Sequence, residues 1–261
     1  MRHIGTFPTS FSHLNCYGRC PQDFRLRHVF QYNVGVPVTF GYGSNVHNML
    51  NIIHSNYIRR KKIPSDEEIK KTLDRIFKLR YATPAISEPM KASVLKIVKN
   101  YVRLHKDDFK LILETEKKFE FVLSDALISG QIDLLKKVDQ DGKVTAVEII
   151  DFKTDRNDSI YQGDYDKQLR FYAIACLESL GLKPDKACVH HLDENKKTFV
   201  DISSSKLEAV KKEIKEDISS IMSPTREFIA KPNKKICKEC DFRVICPYKN
   251  IKDSYGVSNS N

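Results

Sequence analysis

No stretch of the 261-residue chain approaches the 18 or more consecutive apolar residues that a membrane span needs. The opening residues, MRHIGTFPTSFS, lack the apolar centre of a secretory signal. No internal repeat and no low-complexity stretch occurs, and the G-x-x-x-x-G-K-[ST] loop of a nucleotide-driven motor is missing. These absences argue against a membrane helix, a secreted protein, a repeat array and an ATP motor. The expected location is intracellular, in the cytoplasm. A reducing compartment disfavours a disulfide framework, so seven cysteines, an odd number, fit metal or cluster ligation plus buried free thiols.

What is present suits a globular protein. Hydrophobic residues make up 41%, enough for one large domain or a core with an appended subdomain. Lys and Arg (44) outnumber Asp and Glu (34), giving a net charge of +10. That balance suits a polyanionic partner, through phosphate neutralisation and counterion release, although many soluble proteins are mildly basic.

Along the chain, apolar positions at helical spacing predict helices over residues 44–62 (Val46, Met49, Leu50, Ile53, Tyr57), 66–79 and 89–106, with Ser44 as the cap of the first. Strands follow over 110–124, 127–138 and 143–154, the last two joined by a turn at residues 139–142. A helix over 164–180, a strand pair over 186–202 and a charged amphipathic helix over 204–222 come next. Residues 1–40 are expected to wrap the core, 231–250 form a short basic cysteine-bearing region, and the tail from Asp253 is expected to be disordered. The order describes an α/β sandwich with a mixed central sheet.

The chemistry gathers on the third strand, around Val147–Thr154 (VEIIDFKT). Side chains alternate across a strand, so Asp151 and Lys153 share a face, and Ile150 and Phe152 share the other. A turn near Asp141–Gly142 puts Asp133 opposite Asp151, within one residue of register. Opposed side chains have Cβ atoms roughly 5 Å apart, and two carboxylates there repel unless a cation lies between them. Carboxylate oxygens suit Mg²⁺ or Mn²⁺, which can polarise a phosphodiester oxygen and acidify a water. Lys153 could orient that water or neutralise charge on the phosphorus centre. The competing reading is an exposed Asp–Lys pair beside a turn. His47 could complete a metal shell or serve the core. Tyr165, Gln168 and Tyr172 form one helical stripe, either a core face or a strip that meets a DNA strand.

Cys237, Cys240 and Cys246 form C-x2-C-x5-C followed by Pro247. Cys20, in Arg19–Pro21, is the best fourth ligand and Cys16 the reserve. Cys176 and Cys188 read as buried thiols. Spacing alone leaves zinc and an iron–sulfur cluster both open.

Taken in order, His47, Gly130–Asp133 (GQID), Asp151–Thr154 (DFKT) and the Tyr165/Gln168/Tyr172 helix resemble the RecB-like branch of the PD-(D/E)XK nucleases, over roughly residues 10–250. The resemblance implies a restriction-endonuclease-like core. It implies metal ligation by His47, Asp133, Asp151 and the carbonyl of Phe152, a catalytic role for Lys153 beside Asp133 and Asp151, and DNA handling by Gln168 and Tyr172. It also implies a glutamate on the preceding strand, Glu116 first and Glu114 second. The proline of "PD" is missing before Asp133. A lone N-terminal Cys-Pro with a C-terminal cysteine triplet is similar to the clasp of AddB-type and CRISPR-adaptation nucleases. That likeness implies a [4Fe–4S] cluster on Cys20, Cys237, Cys240 and Cys246, with zinc as the fallback. Residues 9–21 resemble the entry to nuclease domains fused behind superfamily-1 helicases, so a helicase partner or fusion is implied. The expected organisation is a wrap (1–40), a helical region with the metal-site histidine (41–108), a nuclease core (109–225), a clasp (226–252) and a tail (253–261). The expected activity is Mg²⁺- or Mn²⁺-dependent hydrolysis of DNA, on single strands or duplex ends. The alternatives are a DNA-binding module of nuclease fold that does not cut, and a zinc-stapled RNA- or protein-binding domain.

Overall fold

The structure, a computed structural model, describes residues 7–140, 143–154 and 162–248. Strand β1 (Phe7–Ser10) leads into α1 (Phe11–Arg19) and the short α2 (Pro21–Phe24), which widens into one further turn over Arg25–Val29. Three helices follow: α3 (Tyr42–Arg60), α4 (Asp66–Ile76) and α5 (Pro84–His105). The meander β2 (Ile112–Leu123), β3 (Ala126–Gln140) and β4 (Lys143–Lys153) comes next, then α6 (Gln162–Ala175), β5 (Pro184–His191), β6 (Lys196–Phe199), α7 (Ser204–Met222) and α8 (Lys234–Lys238).

Among the described residues the strands form one mixed six-stranded sheet in the order β1-β3-β4-β5-β6, with β2 also paired to β3. β1 runs parallel to the first part of β3, and β4 parallel to β5; the other pairs are antiparallel. A strand buried on both faces must be apolar on both, and β4 is: Val147 and Ile149 point to one side, Ile150 and Phe152 to the other. The first side packs on α1, α6 and α7 through Leu14, Leu169, Phe171, Leu207, Val210 and Ile214. The second packs on α3, α4 and α5 through Met49, Leu50, Ile53, Ile69, Leu73 and Val98. Helices on both faces of a mixed sheet are the expected α/β sandwich, with a restriction-endonuclease-like core.

Several local expectations need correction. α3 is capped by Gly41, not Ser44. Gly41 takes φ +98°, and Asn45 Nδ2 fastens the helix start to the carbonyls of Gly41 (2.8 Å) and Lys78 (2.9 Å). α5 starts at Pro84 and runs through Pro89. Pro84 pre-sets the first turn, and the N–H missing at Pro89 falls near the helix start. Within the expected wrap, the described residues from Phe7 on supply an edge strand and two helices. β1 has only four residues, too few for alternation to reveal. The turn residues Asp141 and Gly142 and the tail from Asp253 lie outside the described residues. No described helix is long and apolar enough to cross a membrane.

Candidate metal centre

The centre is built on the β3–β4 ribbon. Gln140 pairs with Lys143, an irregularity between Val138 and Asp139 shifts the register by one, and the ladder then runs from Val138↔Ala146 to Leu134↔Ile150. The same register carried one step further sets Asp133 opposite Asp151. There a side chain takes over from the ladder: the Phe152 N–H donates to Asp133 Oδ2 at 2.8 Å. Alternation puts Asp133, Asp151 and Lys153 on the side of Leu135 and Ile149, which faces α6.

Two further elements close on Asp133. His47, in the second turn of α3, brings Nδ1 to 3.3 Å from Asp133 Oδ1. Gly43, one turn earlier, lets α3 come this close to β4: a Cβ there would stand 3.3 Å from Thr154 Oγ1. Glu116 comes from β2, where Thr115↔Leu134 and Lys117↔Ile132 bracket it. Its backbone adopts φ +49°, a left-handed conformation that costs a non-glycine residue energy and appears where surrounding bonds impose it. Gln131 Nε2 holds the Glu116 carbonyl at 3.0 Å, and Thr115 Oγ1 donates to the Asp133 carbonyl at 3.2 Å. The bracketing pairs set Glu116 opposite Asp133, so the two carboxylates share one face of the sheet. Ligand atoms of His47, Glu116 and Asp133 then all lie within 4.8 Å of one another.

The buried acids and the histidine shift one another's protonation. Burial raises the pKa of Glu116, and the charge of Asp133 raises it further. Asp151, almost wholly buried, is pushed up to about 6 by burial against the opposing pull of Lys153, with Asp133 adding to the rise. Burial would lower His47, but its bond to Asp133 and the charges of both aspartates outweigh that and raise it. One imidazole and clustered carboxylates form a donor set suited to a hard or borderline divalent cation.

Lys153 Nζ lies 2.7 Å from Asp151 Oδ2 and 3.3 Å from Gln168 Oε1, and sits 5.0 Å above the Tyr165 ring. Gln168 Nε2 donates to the Tyr172 hydroxyl at 2.8 Å. The α6 stripe of Tyr165, Gln168 and Tyr172 therefore lies against the Asp–Lys strand. Phe152 contributes its N–H to Asp133, and its ring packs beside His54 in the second core cluster. Glu114 pairs with Lys117 at 2.9 Å and is not in the metal-type group; Glu116 is. Gly130 of the GQID segment has a packing reason, since a Cβ there would meet the Phe119 ring at 2.4 Å. What the sequence pattern did not offer is Gln131 as a bracket for Glu116, because a period-2 reading contains no left-handed kink.

The cysteine region folds back on the N-terminal helices. Arg27 bonds Asp241 at 2.8 Å and covers the Phe242 ring at 4.9 Å, and Lys231 donates to the Gly18 carbonyl at 2.9 Å. The Cys240 thiol is pushed up, chiefly by burial, with the charge of Asp23 adding to the rise. No three of the sulfurs of Cys20, Cys237, Cys240 and Cys246 come within 4.8 Å of one another. Cys16, Cys176 and Cys188 are buried thiols pushed up to about 12, chiefly by burial.

With that geometry in place, comparison with known proteins adds the following. A family model described as the PD-(D/E)XK nuclease superfamily matches residues 8–247. No curated protein matches the sequence significantly. Among solved structures, the crystal structure of SSO0001 is similar at 15% identity and a TM-score of 0.45, covering 93% of this chain and 86% of that one. A candidate exonuclease from Eubacterium rectale is similar at 12% identity and a TM-score of 0.48, covering 88% of this chain and 92% of that one.

Proposed function

The chain belongs to the PD-(D/E)XK nuclease superfamily, and from that premise we propose that it is a Mg²⁺- or Mn²⁺-dependent deoxyribonuclease acting on single strands or duplex ends. One observation carries the reading: His47, Glu116 and Asp133, from three separate elements, converge within 4.8 Å beside the Asp151–Lys153 pair.

His47, Glu116, Asp133 and Asp151 would hold the cation. Bound there, it supplies polarisation of the scissile phosphate and lowers the pKa of adjacent water. The protein's own groups do the rest. Asp151 and Gln168 hold the Lys153 ammonium, which is aimed to donate to a phosphate oxygen or to orient the attacking water. Tyr172 fixes the amide of Gln168, so the α6 stripe helps Asp151 position Lys153. Asp133 ties the Phe152 N–H to the ligand set, which keeps β4 from sliding against β3. A module that only grips DNA is less well supported, because buried acids repel a polyanion unless a cation offsets them.

Labelled single- and double-stranded DNA incubated with Mg²⁺ or Mn²⁺ tests the proposal. The native chain should cut, and Lys153→Ala should cut at least about 100-fold more slowly. Equal cutting by both would place the activity elsewhere, and binding without cutting by the native chain would favour the non-cleaving module.

We also propose that Cys20, Cys237, Cys240 and Cys246 hold a [4Fe–4S] cluster, with zinc as the fallback. The ties between α2 and the cysteine region support a shared site. A helicase partner or fusion is part of the same reading.

A further inference from the structure

Six residues between positions 29 and 40 are large, apolar and exposed: Val29, Phe30, Tyr32, Val36, Val38 and Phe40, the last at 60%. None of them joins either core cluster. Isolated exposed apolar residues need no explanation, but six within twelve positions do. The segment links α2 to α3 without a helix or strand of its own beyond position 30. It is nonetheless a shaped piece of chain. Gln31 adopts φ +53°, and Phe30 and Tyr32 come together with ring centres 5.7 Å apart. The Arg25 guanidinium covers the Phe30 ring at 4.8 Å. The Phe40 N–H bonds the Pro37 carbonyl at 2.9 Å, and the Tyr42 N–H bonds Thr39 at 3.1 Å.

Position and charge say what would cover it. The segment runs directly into α3, and Tyr42 is only about 7.5 Å along the helix axis from His47. At its foot, Gly43 abuts Thr154, the residue after Lys153. From Arg25 to Ser65 the sequence contains no Asp or Glu; Arg25 and Arg27 adjoin the strap, while Arg59, Arg60, Lys61 and Lys62 lie at the far end of α3, roughly 25 Å along its axis. An apolar, aromatic strap free of negative charge and continuous with a phosphodiester site matches one ligand chemistry: unpaired bases, whose faces stack on aromatic rings while their phosphates meet cations. Paired bases offer no free faces to such a strap.

We propose that residues 29–40 form a base-stacking strap in which Phe30, Tyr32 and Phe40 engage the unpaired bases of a DNA strand leading into the metal centre. This inference rests on the nuclease reading for the nature of the strand, and its test does not depend on cleavage.

The test uses the full chain carrying Lys153→Ala, so that binding is read without cutting. Fluorescence anisotropy follows a labelled strand of roughly 15 nucleotides and an abasic strand of the same length and charge. The expected result is at least about tenfold tighter binding of the strand with bases. Adding Phe30→Ser, Tyr32→Ser and Phe40→Ser should abolish that advantage and leave affinity for the abasic strand within about twofold. Thermal melts check the fold, and Phe40→Ala alone, at the most exposed ring, serves if the triple variant unfolds. A retained base advantage would overturn the proposal. So would an equal loss on both strands, or a chain that self-associates through the strap and dissociates in the variant. Failure of the native chain to cut DNA would count against the nuclease reading and leave this measurement standing.

Discussion

Glu116 shows how one residue's placement can decide a site's chemistry. The register of β2 on β3 sets it opposite Asp133, so the two carboxylates share a face of the sheet, and its left-handed backbone sits within that pairing where the carboxylate reaches Asp133 and His47. Gln131 Nε2 donates to the Glu116 carbonyl and brackets this conformation. Gln131→Ala should therefore weaken Mn²⁺ affinity by about 10- to 100-fold, the usual range for a group that orients a ligand. Isothermal titration would read this, and Gln131→Glu should not restore it, because a carboxylate cannot donate to the carbonyl. An unchanged affinity would mean that the kink is held by other contacts. This part of the centre was only half legible in the sequence. Resemblance pointed to Glu116, but what separates it from Glu114 is the β2–β3 register, which sets Glu116 opposite Asp133 and Glu114 opposite Leu135 and has no tight-turn signature in the sequence.

Where elements meet, the register of β3 on β4 and the packing of α3 on the sheet matter most. The register could be read beforehand because a tight turn fixes pairing: the ladder reaches Leu134↔Ile150, which sets Asp133 against Asp151 as the turn position implied. The helix starts were less legible. Ser44 looks like a cap, but Asn45 makes bonds to Lys78, far away in sequence, and these draw the start of α3 back to Gly41. Between this helical layer and the sheet lie two buried histidines. Burial lowers His54 to about 3 and His190 to about 4, the latter despite its bond to Asn195. Both are neutral in the fold and titrate near 6.5 when unfolded. The unfolded chain thus gains protons first as pH falls, and stability is lost below about pH 6.5. Each histidine should cost about 2 kcal/mol between pH 7 and 5. Urea unfolding of His54→Phe should show a flatter decline than the native chain. Equal slopes would contradict this account of the interface.

For the whole molecule, the ties between chain regions far apart in sequence stand out. Arg27–Asp241 and Lys231–Gly18 bring the cysteine region onto α1 and α2, on the side of the sheet that carries α7. A centre bridging Cys20 to the other cysteines would remove freedom from the unfolded chain, as long-range cross-links do. Anaerobically purified protein should be brown, and Cys240→Ser should lose the colour and melt several degrees lower. A colourless protein with one zinc per chain would replace the cluster with the fallback. The central claim, however, concerns the cation between β2, β3, β4 and α3. Manganese binding followed by electron paramagnetic resonance tests it most directly, because free Mn²⁺ is counted without any need for DNA. The native chain should take up at least one Mn²⁺ per molecule at micromolar concentration, and Asp133→Asn should take up none in that range. Equal uptake by the two proteins would contradict the account.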